Sequence, residues 1–87
     1  MSTHIRLFSQ TAVAHLIGIT PSCFNHRIKR GKYPRPSTLR EGGKAFHYTS
    51  DEVGSILRVE AYRNEHPSVR HCPYGYVKWC VDQQSVL

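Results

Sequence analysis

The chain has 87 residues, a formal net charge of +6 and an apolar content of 39%. This length accommodates one small domain with a tail, and the modest apolar content leaves little core around which to build a deep enzymatic cleft. No apolar run reaches the roughly 18 residues that a membrane-spanning helix needs, and the N-terminus lacks the apolar stretch of a signal peptide. Three cysteines without framework spacing favour free thiols in a reducing, cytoplasmic compartment.

The positive charge is concentrated in one segment, residues 21–48. This segment has seven Lys or Arg residues and one acidic residue, whereas the remainder of the chain has five of each sign. A concentrated positive charge indicates a polyanionic partner, because each cation that neutralises a phosphate releases a condensed counterion. The alternative is a solvated basic face with no partner.

Two helices are predicted in the first third of the chain from their capping residues and glycine ends. The first begins after the N-cap Ser9 and ends at Gly18, because glycine reaches the left-handed conformation without strain. The second begins after the N-cap Thr20, with Pro21 at its first position, and ends at Gly31. Apolar residues at helical spacing are expected to face the core: Val13, Leu16 and Ile17 in the first helix, and Phe24 and Ile28 in the second.

A third helix follows a predicted β-hairpin. Thr49 and Glu52 have the spacing of a capping box, so this helix is expected to begin after Thr49. Before it, residues 37–40 and 44–48 are predicted as short strands around a turn at residues 41–43, whose glycines allow positive φ. The strand residues expected to face the core are Leu39, Phe46 and Tyr48.

The order of helix, tight turn, helix, hairpin and helix predicts an α+β, mainly α fold. It is the layout of a winged helix-turn-helix with a two-stranded wing and a short C-terminal tail. In such a fold the first helix braces the second, and the second lies in the major groove of DNA. Residues 1–64 are the predicted DNA-binding domain, and residues 65–87 are the tail.

The outward residues of the second helix and the tip of the hairpin are the predicted DNA contacts. Asn25 has the chemistry for bidentate pairing with adenine, and Lys29 or Arg30 for guanine or phosphate. Arg27 is expected either to contact a phosphate or to form a salt bridge with an acid such as Asp51. The full predicted set is Thr20, Ser22, Cys23, Asn25, His26, Arg27, Lys29 and Arg30 in the recognition helix, with Arg40, Gly42, Gly43 and Lys44 in the wing.

The tail after Asn64 leaves more alternatives open. Two breaks in helical structure are expected, one at His66-Pro67 and one over residues 72–76, Cys72-Pro73-Tyr74-Gly75-Tyr76. Residues 77–81 fit either one or two helical turns or a strand. Trp79 is expected to contribute to the core. The alternative for these apolar residues is contact with a neighbouring protomer on DNA.

Residues 9–60 resemble the small MerR-like winged-helix proteins of phages and mobile elements, which include AlpA-type regulators and excisionases. The resemblance lies in the turn Gly18-Ile19-Thr20, the basic helix end Lys29-Arg30-Gly31 and the wing entry Tyr33-Pro34-Arg35-Pro36. One departure is Arg27, which stands where the family often has an apolar residue.

The resemblance implies a recombination directionality factor, a protein with no catalytic chemistry and no cofactor. Such a protein binds repeated double-stranded DNA sites near an attachment site, bends the DNA and represses an adjacent promoter. The implied partners are a phage integrase and further copies of the chain on DNA, and the implied location is the bacterial cytoplasm at the nucleoid. A plain transcriptional regulator without a recombination role is the nearest alternative.

Three other classes of protein are less consistent with the sequence. Potential metal-ligating side chains occur in the tail without the paired spacing of a zinc site, so no metal is expected: His66, His71, Cys72 and Cys80. No catalytic grouping has a suitable context, so the chain is not expected to be an enzyme. Binding of RNA, of single strands or mainly of a protein remains open, because several aromatic side chains could stack on bases: Tyr33, Phe46, Tyr48, Tyr74, Tyr76 and Trp79.

Overall fold

The computed structural model describes residues 6–39 and 42–84. In these ranges four α-helices, one short 3₁₀ helix and a three-stranded antiparallel sheet form a small, mainly helical α+β fold, which is compatible with a winged helix. The elements in chain order are β1 (Leu7–Phe8), α1 (Gln10–Ile17), α2 (Pro21–Lys29), β2 (Thr38–Leu39), β3 (Phe46–Thr49), α3 (Ser50–Glu65), the 3₁₀ helix (Pro67–Val69) and α4 (Tyr74–Gln84). None of the helices in the described ranges is both long and apolar enough to cross a membrane.

The predicted caps begin the first three helices. Ser9 Oγ accepts a hydrogen bond from the Ala12 amide at 3.1 Å, and Thr49 and Glu52 form the reciprocal bonds of a capping box. At the end of α1, Gly18 adopts φ 87° and its amide donates to two carbonyls of the last turn. Each of these signals is local in sequence, and the predicted helix starts are confirmed.

The sheet contains one more strand than the sequence predicted. Its order is β1-β3-β2, and β1 pairs with β3 through Leu7↔Thr49 and Phe8↔Tyr48. A strand of two residues has no alternation that a sequence pattern can reveal. The hairpin strands are also shorter than predicted, and Arg40 and Glu41 lie outside the described residues.

Phe24 of α2 lies at the centre of the core and is fully buried. Its ring centroid is 5.3 Å from that of Tyr33 and 6.2 Å from that of Tyr48. These aromatic side chains join α2 to the wing entry and to β3. The rest of the cluster comes from α1, α2 and α3: Val13, Ala14, Ile28, Val53 and Ile56.

Leu16, Leu39 and Phe46 were expected to be buried, and all three are exposed. In α1 the buried face is centred between Val13, Ala14 and Ile17. At roughly 100° per residue, Leu16 falls about 110° from that centre and faces solvent. Leu39 and Phe46 pair with each other, but the hairpin extends beyond the core at this register.

The segment after α3 folds back onto it. The predicted interruption at His66-Pro67 is confirmed, because α3 ends at Glu65. The second interruption is shorter than predicted, since α4 begins at Tyr74 and includes Gly75 and Tyr76. The Tyr74 amide donates to the Gly31 carbonyl at 2.9 Å, which joins the start of α4 to the chain just beyond α2.

The core residue of α4 is Val77, not Trp79. Val77 is fully buried, whereas Trp79 is 57% exposed, so the expected core role of Trp79 was wrong. The two residues are about 200° apart around the helix, and only one of them can face α3.

Substitution of two neighbouring residues of α3 tests which side of this helix faces the core. Ile56 is 0% exposed and Leu57 is 39% exposed. We expect Ile56→Ala to lower the free energy of unfolding by about 2–5 kcal/mol, because it leaves a cavity in the core. Leu57→Ala removes a side chain of the same size and should cost less than about 1 kcal/mol. Urea denaturation measures both values, and equal losses would contradict the assigned rotation of α3.

Candidate nucleic-acid interface

The rotation of α2 is set by its two buried residues. Phe24 and Ile28 face the core, so the opposite side of the helix faces solvent. Five of the predicted contact residues are exposed on the remaining surface: Ser22, Asn25, His26, Lys29 and Arg30. Cys23 and Arg27 lie at one edge of that surface and are only partly exposed.

The first turn of α2 offers fewer free amides than an uncapped helix. Thr20 Oγ1 accepts from the Cys23 amide at 3.1 Å, and the Thr20 carbonyl accepts from the Phe24 amide at 3.0 Å. Pro21 has no amide hydrogen. Among the described residues, the Ser22 amide is therefore the first-turn donor left for a phosphate, together with the hydroxyl hydrogen of Thr20.

Asn25 is oriented by a residue that the sequence did not single out. Gln10, the first residue of α1, donates from Nε2 to Asn25 Oδ1 at 3.3 Å. The Asn25 amide nitrogen and a second lone pair of Oδ1 stay available for a base edge. Since both residues are polar and lie 15 positions apart, no spacing rule could have paired them.

Arg27 faces α3 and not the exposed side of α2. Its Nη1 atom lies 3.8 Å from Glu60 Oε1, and about a third of its side chain is exposed. The Tyr33 hydroxyl also donates to Glu60. Of the two alternatives for Arg27, phosphate contact or a salt bridge, the structure shows the salt bridge. The acidic partner is Glu60 and not Asp51.

The wing tip is exposed wherever it is described. Gly42 has φ 76°, and Gly42, Gly43 and Lys44 are all accessible to solvent. Arg40, the other predicted wing contact, lies outside the described residues. Leu39 and Phe46, which were expected in the core, add apolar surface near the tip.

The side chains on which the alternative functions depend are dispersed. Within residues 6–39 and 42–84, no three His, Cys, Asp or Glu side chains gather where they could hold a metal ion. All three cysteines are free. The aromatic set divides into the buried Tyr33 and Tyr48, the partly buried Tyr74, and the exposed Phe46, Tyr76 and Trp79.

Comparison of the chain with protein-family models, with curated proteins and with solved structures finds no match. A fold alone is compatible with many functions, so the function of this chain depends on the residues of the site. The relevant residues are those on the exposed side of α2 and at the wing tip.

The cap of α2 can be separated from a role in binding. We expect Thr20→Ala to lower the free energy of unfolding by about 1 kcal/mol, because the Cys23 amide loses its acceptor. Ser22→Ala in the same turn removes an exposed hydroxyl and should change stability by less than about 0.5 kcal/mol. Urea denaturation of both variants measures these two changes in the free energy of unfolding. A neutral Thr20→Ala would show that the cap contributes nothing to the stability of α2.

Proposed function

We propose that this chain is a winged helix-turn-helix protein that binds double-stranded DNA with sequence preference. One observation carries the proposal: the exposed polar side of α2 lies within the segment that holds the net positive charge of the chain. A helix anchored by one buried face and polar on the other has the dimensions to enter the major groove. Asn25 supplies base-edge chemistry there, and Lys29 and Arg30 supply cations for phosphates or guanine.

The hairpin is the proposed second contact. Its tip carries Lys44 beside two exposed glycines, and glycine allows close approach of the backbone to a phosphate. In this arrangement α1 braces α2, and the tip reaches the groove next to the one that α2 occupies.

The proposed biological role is that of an excisionase, a recombination directionality factor of a phage or mobile element. It is supported by the resemblance of residues 9–60 to MerR-like excisionases and AlpA-type regulators. In this role the chain binds repeated sites, bends the DNA, assists a phage integrase and represses an adjacent promoter. It acts in the bacterial cytoplasm on the nucleoid.

The exposed aromatic residues of α4 support contact between protomers on neighbouring DNA sites. Tyr76 and Trp79 are both exposed, and their ring centroids lie 6.3 Å apart. Tyr and Trp are enriched in protein interfaces relative to the rest of the surface. This contact would make binding to repeated sites cooperative.

Binding to single strands is a second candidate, favoured by the exposure of Phe46 beside the basic wing tip. A ring at this place could stack on an unpaired base. Two of the other aromatic residues considered for stacking, Tyr33 and Tyr48, are buried and cannot take part without unfolding.

A DNase footprint on the DNA flanking the gene of this protein tests the proposal. We expect several protected repeats spaced by about one helical turn, with hypersensitive positions between them that report bending. Trp79→Ala should keep single-site affinity and lose cooperativity. One protected site over a promoter would indicate a plain regulator. Absence of protection at low salt, with binding to single strands, would overturn the proposal in favour of the second candidate.

Two substitutions on the exposed side of α2 separate phosphate contact from base contact. We expect Lys29→Ala to weaken binding equally on all sequences and to reduce the slope of log K against log salt by about 1. Asn25→Ala should cost about 1–3 kcal/mol and relax preference at one base pair. Lys78→Ala in α4 is the control, because it removes one positive charge at a position outside α2. Wild-type binding by both α2 variants on every sequence would exclude α2 as the recognition helix.

A further inference from the structure

A pocket of about 300 Å³ lies beside the end of α2, away from the exposed helix side described above. Its walls come from α2 and the residues after it, from the second half of α3, and from the segment between α3 and α4. Basic side chains dominate the lining: Arg27, Lys32, Arg63 and Arg70, together with His71. Glu60 is the acid among the lining residues.

Arg63 is a buried cation in this pocket, with 4% of the residue exposed. Its Nη2 atom donates to the Lys32 carbonyl at 2.8 Å and to the Cys72 carbonyl at 3.1 Å. Its guanidinium carbon lies 5.0 Å from the centroid of the Tyr33 ring. The Nε atom is buried and has no hydrogen-bond partner among the described residues. The guanidinium is therefore held firmly, but its hydrogen-bonding capacity is not filled.

The positive charge of the pocket exceeds what Glu60 can neutralise. Glu60 already accepts from the Tyr33 hydroxyl and pairs with Arg27. Burial lowers the pKa of the Arg63 guanidinium; the charge of Glu60 opposes this effect, and the charge of Arg27 adds to it. Lys32 Nζ donates to His71 Nδ1 at 3.5 Å, which holds the ammonium group of Lys32 at the same pocket.

We propose that this pocket binds a phosphate-class oxyanion, held by Arg63, Lys32 and Arg70. Such an anion accepts several hydrogen bonds at once, and charge-assisted bonds from guanidinium groups are the strongest of that kind. A single carboxylate would leave more of the lining charge unopposed. Within residues 6–39 and 42–84 Arg63 forms no salt bridge, so the anion would offset its buried charge.

Two ligands would present the same oxyanion chemistry to the pocket. One is a free phosphate group in solution, and this source is independent of DNA binding. The other is a backbone phosphate of DNA, and this source rests on the proposed function. The second source is structurally reasonable because Arg27 and Lys32 belong to the basic segment that also supplies the exposed side of α2.

The first arm of the test uses inorganic phosphate without DNA. Thermal unfolding and ³¹P NMR are followed during titration with sodium phosphate, against sodium chloride at equal ionic strength. We expect saturable stabilisation of the wild type and roughly tenfold weaker phosphate binding by Arg70→Gln, which loses one charge-assisted contact. Arg70 is exposed, so this variant should fold, and Lys32→Gln serves as a second pocket variant. The matched control is Arg58→Gln, an exposed arginine on α3 outside the pocket lining.

The second arm measures duplex affinity against salt for the same variants. If a DNA phosphate occupies the pocket, Arg70→Gln reduces the slope of log K against log salt by about 1, and Arg58→Gln does not. If the ligand is free phosphate, the slope is unchanged and the first arm alone is positive. An unchanged salt slope together with equal phosphate binding by wild type and both pocket variants would overturn the proposal, as would an unchanged slope with no phosphate binding by any of them. Neither of these outcomes would contradict a positive DNase footprint. The oxyanion proposal can therefore be wrong while the proposed DNA-binding function stands.

Discussion

The packing of Phe24 against Tyr33 and Tyr48 is the constraint on which the rest of the structure depends. It fixes the rotation of α2, because a fully buried ring at that position forces the polar residues of the helix outward. Burial of one such side chain is worth about 1.5–3 kcal/mol, a large share of the stability of a small domain. The same contact holds the wing entry and β3 against α2, so the proposed DNA-binding elements share one anchor.

Local signals predicted the first three helices of this chain well, whereas α4 was left open between a helix and a strand. Ser9, Thr20 and Thr49 begin α1, α2 and α3 as expected, because a capping residue and its partner amide lie within one turn of sequence. The buried pair Phe24 and Ile28 was also predicted from helical spacing. These features need no knowledge of what lies on the other side of the core.

The errors concern residues whose environment is decided by distant parts of the chain. Leu16, Leu39 and Phe46 are apolar, but the core ends before it reaches them. The side-chain contacts made by Asn25 and Arg27 across helices could not be read from spacing. The basic pocket around Arg63 was missed for the same reason, because its lining residues are separated by tens of positions in sequence.

Hydrogen bonds join the end of α2 to the start of α4. The Gly31 carbonyl accepts from the Tyr74 amide, and Arg63 bonds to the carbonyls of Lys32 and Cys72. The exit of α2 and the entry of α4 are therefore joined by hydrogen bonds, and we expect them to open together. Deleting α4 would loosen the end of α2 even if no residue of α4 touches a ligand. Loss of activity after such a deletion would report damage to α2 and would not map a contact to the C-terminal segment.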